Sequence, residues 1–185
     1  MKAPTEDRPY PVLRMGTGVT PYEGGCVMQA ASFLWDGSSW NDDPSCVNPI
    51  LRDAAIRVND LLDVDERQRL WPLVPRLMGT VTVEWPSDNL AVAEGLMKAV
   101  RPDFYRAYAW GESPGVVATG VACTLVRHAA SLVPEGQLVD WLVALLDEYD
   151  RITGRTAPWP VSEQRWAKLG EVMRDEMFAL RDEVS

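Results

Sequence analysis

Apolar residues recur at three- and four-residue spacing along most of the chain, and that period predicts helices. Val27, Ala30, Ala31, Leu34 and Trp35 share one face of a first helix, which Asp36-Gly37-Ser38-Ser39 stops. Asn48 and Pro49 suit the cap and first turn of a second. Its buried stripe is Ile50, Ala54, Val58 and Leu61. Asp63 and Glu66 have the spacing of a capping box for a third helix, which Pro72 and Pro75 must kink or interrupt and Gly79 ends. Thr80–Trp85 alternates and reads as a strand, with Pro11–Met15 as its candidate partner.

Helical spacing resumes at Asp88, where Leu90, Ala93, Leu96, Met97 and Val100 share a face, followed by an aromatic segment of Phe104, Tyr105, Tyr108 and Trp110. The stretch from Ser113-Pro114 to Leu132 is apolar nearly all round as far as Val126, the mark of a helix buried mid-bundle. Leu138, Leu142, Leu145, Tyr149 and Ile152 line the next helix; Trp166, Leu169, Met173, Met177 and Leu180 line the last. The expected fold is mainly α, an irregular bundle of about six or seven helices with at most one short two-stranded pairing. Residues 1–24 read as an extended N-terminal arm and residues 25–185 as a single helical domain.

Charge narrows the function classes. Asp and Glu outnumber Lys and Arg by 27 to 18, a formal net charge of −9. That balance repels phosphate backbones, so direct nucleic-acid binding is not expected. The polar, proline-rich opening is unlike a signal peptide, and the longest apolar run, around Val116–Val126, is too short to span a bilayer. A cytoplasmic protein with no membrane span is expected.

Candidate chemistry is sparse. Cys26, Cys46, Cys123 and His128 are zinc-type donors, but Cys123 and His128 point about 140° apart on a helix at 3.6 residues per turn. Three small buried hydrophobes are the simpler reading, with no metal and no cofactor. Cys26 near a helix start has the position of an activated thiol, and His128 is the lone imidazole that could serve it. Apolar Val27 and Met28 beside it favour packing, and no catalytic residue is assigned. Asp42 and Asp43, with Trp40 close by, form a candidate binding loop over residues 36–47. A solvated turn is the plainer account of the same residues. From Glu135 to Asp150 five acids occur with no base. Asp147, Glu148 and Asp150 there form a candidate acidic face for a basic partner.

Cys26-Val-Met-x-Ala30, Asp43-Pro-x-Cys-Val47-x-Pro49, Asn59-Asp60 and Leu73-x-Pro75-Arg-Leu-x-Gly79-Thr80 carry a resemblance. Over Cys26–Thr80 the chain resembles a family of uncharacterised helical proteins from actinobacteria and their phages. The resemblance implies a shared structural unit, with Asn59 tying helix backbone inside the bundle, and transfers no catalytic residue. The function expected is a non-enzymatic cytoplasmic protein-interaction module that binds a protein partner or itself, phage-encoded and directed at a host protein. The competing expectation is an enzyme or small-molecule-binding protein with its site at the 36–47 loop.

Overall fold

The structure, a computed structural model, describes residues 12–21, 23–81, 87–100 and 115–172. Every regular element among them is helical. Helices α1 (Val27–Asp36), α2 (Pro49–Leu61), α3 (Val64–Arg67), α4 (Val74–Leu77), α5 (Ser87–Val100), α6 (Gly115–Ala130) and α7 (Leu138–Thr153) are joined by α8 over residues 163–172. α2 and α5 each pack against both α6 and α7, while α1 lies on α2 and α4. The result is the mainly α, irregular bundle that the periodicity predicts.

The start and stop signals act largely as read. Asn48 Oδ1 accepts the Ile50 N–H at 3.0 Å, capping α2 with Pro49 in its first turn. Gly37 ends α1 at φ +80°, its N–H donating to Phe33 O at 2.7 Å. The two prolines break the third helix into α3, a 3-10 segment (Gln68–Leu73) and α4. Only half of the capping box forms. Asp63 accepts the Glu66 N–H at 2.8 Å, but Glu66 turns to Arg69. The Asp63 N–H goes instead to Glu135 Oε1 at 3.0 Å, 72 residues along the chain.

The apolar run of α6 packs between α2 and α5, at the hub of the helix contacts, but over its described part it is not buried all round. In α6, Ala122, Val126, Ala129 and Ala130 are buried, but Val121, Cys123 and Leu125 are only partly so, and Gly120 and Thr124 are exposed. The helix buried all round is α1, where Val27 to Leu34 are all enclosed. Two physical facts account for the difference in burial between the two helices. The described positions of α6 that are not fully buried are mostly small, Gly120, Val121, Cys123 and Thr124 among them, and surfaces carry such side chains at little cost. The polar Gln29 in α1 is bonded internally: its Oε1 accepts from Gly18 N at 3.0 Å and Cys26 N at 3.2 Å, and its Nε2 donates to Gly18 O at 2.7 Å. A satisfied polar group can stay in a core. Val117 lies outside the described side chains.

The expected pairing of Pro11–Met15 with Thr80–Trp85 is also corrected. Leu13 forms a parallel bridge to Gly25, with Arg14 N donating to Gly25 O at 2.9 Å. Thr80 and Val81 donate to Cys46 O at 3.1 and 3.4 Å, and residues 82–86 lie outside the described set. The described part of the arm is fastened to the body: Leu13 is fully buried and exchanges backbone bonds with the Gln68 amide at 3.1 and 3.0 Å. The aromatic segment 104–110 and Met173, Met177 and Leu180 lie outside the described residues. No described helix is long and apolar enough to cross a membrane.

Candidate functional site

The 36–47 loop is built as a braced turn. Asp36, just after the α1 core, accepts the Ser38 and Ser39 N–H groups at 2.7 Å each. Burial alone would raise its carboxyl pKa, but the bonds from Ser39 and Ser38 hold it below the ordinary value. Trp40 turns inward. Its ring meets Phe33 edge to face at 6.3 Å and lies so close to Gly25 that a Cβ there would come within 2.9 Å. Asp43 is exposed and ion-paired with Arg52 of α2, and Asp42 is exposed beside it. Trp40 therefore packs against the start of α1 while the two acids face solvent. They do not converge on it.

Asp147, Glu148 and Asp150 are placed on α7, where each meets an arginine. Arg76 Nη2 lies 2.8 Å from both Asp147 and Asp150. Arg155 Nε donates to Asp150 at 2.6 Å, and Arg151 grips Glu148 through two bonds of 2.7 and 2.6 Å. The hydrogen bonds from Arg151 hold the Glu148 carboxyl below its usual pKa. The rest of the Arg155 fork donates to Met78 O at 3.1 Å and Arg76 O at 2.6 Å, at the end of α4. Trp159 adds a bond from its backbone N–H to Pro75 O at 2.9 Å, and its ring lies 4.5 Å from that of Trp35, tilted by 48°. Asp150 and the Arg155 fork clasp the 154–160 segment to the α4 turn, Asp147 ties α7 to Arg76 of α4, and Glu148 pairs within α7. The three acids expected to meet a basic surface are thus already ion-paired, with Asp147 still 65% exposed. A cleft of about 460 Å³ lies under the same segment, lined by Met78, Gly79 and residues 154–160.

The sulfur groups are protected thiols. Cys26 is the N-cap of α1, and burial raises its pKa despite bonds from the helix amides. Burial likewise pushes Cys46 and Cys123 up to about 11. His128 is exposed near the end of α6 while Cys26 is buried at the head of α1. No group of three metal-ligating side chains occurs among the described residues.

Another surface emerges where α2 meets α3, which sequence reasoning missed. Val12, Met15, Val64 and Leu132 are exposed, the last three by 68%, 60% and 60%. Hydrogen bonds bring their backbones to one end of the bundle. Gln68 Nε2 donates to both Leu13 O and Val64 O, at 3.0 and 2.9 Å, so those two carbonyls are near neighbours. Gly16 N donates to Asp60 at 3.3 Å, and Asn59 Nδ2 to Arg14 O at 2.7 Å. On the other side, Arg57 donates to Ser131 at 3.0 Å, and Glu135 receives the Asp63 N–H. Asp60, Asp63, Asp65 and Glu135 sit among these apolar residues, and none is in an ion pair among the described residues. The available sequence signal is Val64 itself, an apolar residue set among Asp63, Asp65 and Glu66.

The residues behind the resemblance meet as structural fasteners. Asn59, wholly buried, takes the Val27 N–H at 3.2 Å and so ties α2 to the head of α1. Thr80 Oγ1 accepts from Asn48 N at 2.9 Å and donates to Leu77 O at 2.7 Å. No family model, curated protein or solved structure matches the chain.

Proposed function

We propose that this protein is a non-enzymatic interaction module that binds a protein partner at the end of the bundle where α2 meets α3. The carrying observation is the grouping of exposed Val12, Met15, Val64 and Leu132 on three segments that hydrogen bonds lock side by side. Grouped apolar exposure on a rigid frame is what a protein-binding surface requires. The 36–47 loop offers less to a ligand, with Trp40 packed on α1 and Asp43 paired to Arg52. The resemblance adds a host protein as target to this reading.

The test is a pull-down with tagged wild type and a Val64→Lys/Leu132→Lys variant. Both positions are exposed, so the variant should fold and melt like wild type. Wild type should retain a partner that the variant loses. Equal retention by both proteins would overturn the choice of surface.

A further inference from the structure

We draw no further inference here: the strongest candidate, the cleft of about 460 Å³ beneath the 154–160 strap, carries nothing because Arg155, the charged residue on its wall, is already engaged by Asp150 and by the carbonyls of Met78 and Arg76, and nothing in the structure shows what would fill it.

Discussion

Asn59 shows how one side chain can organise three segments. Its Oδ1 takes the Val27 N–H, its Nδ2 donates to Arg14 O, and its own carbonyl receives Arg67 Nε at 2.6 Å. Asn59→Ala strands a buried donor and a carbonyl, each costing about 1–3 kcal/mol when unsatisfied. Urea unfolding should show a loss of about 2 kcal/mol or more, against a change within about 0.5 kcal/mol for the neighbouring, partly exposed Asp60→Asn. The tying role of Asn59 was expected only through the resemblance, because its partners Val27 and Arg14 lie 32 and 45 residues away and leave no local pattern. The thiols give a second residue-scale test. Their pKa values are raised by burial, so the folded state keeps the thiol form while the unfolded chain ionises. Cys46, near 9 when unfolded and about 11 folded, contributes stability that is complete below pH 9 and lost between pH 9 and 11. A Cys46→Ala variant should show less of this alkaline loss in melting experiments. Native protein at pH 7 should label slowly with a thiol reagent at all three cysteines; one thiol reacting rapidly at neutral pH would contradict their protected state.

Element boundaries were largely readable, because caps, prolines and helix-ending glycines act locally. Which helix is buried all round was not. Periodicity ranked α6 above α1 by counting apolar residues, whereas burial followed the internal partners that Gln29 finds in residues 18 and 26. Ala30→Asp should therefore unfold the protein, placing an unpaired charge in the core, while Thr124→Asp should melt within a few degrees of wild type. The turn after α4 offers a sharper comparison. Gly79 and Gly154 both have positive φ, +68° and +70°. A Cβ at Gly79 would come within 2.5 Å of the Trp159 ring, but at Gly154 it meets nothing within 4 Å. Gly154→Ala should cost about 1–2 kcal/mol, the left-handed penalty alone. Gly79→Ala should cost clearly more in the same chemical denaturation, because the Trp159 strap must also shift.

Across the whole molecule, charge is divided by use. The α7 acids bind the chain to itself. Asp150 is only 23% exposed and shared between Arg76 and Arg155. Arg155→Ala should loosen the 154–160 strap, seen as faster amide exchange at Trp159, whose N–H donates to Pro75 O. The sequence showed five acids without a base between Glu135 and Asp150, but Arg76 lies 71 and 74 residues away from its partners. Pairings at such separations leave no local pattern. The exposed apolar residues at the α2–α3 end were hidden for the same reason, since Met15, Val64 and Leu132 come from segments joined only by the fold. The most direct test is hydrogen exchange on the protein with and without the partner retained in the pull-down. Protection should centre on residues 12–16, 60–66 and 131–136, with the 36–47 loop unchanged. Protection centred on 36–47, with the α2–α3 end exchanging as in the unbound protein, would contradict the account.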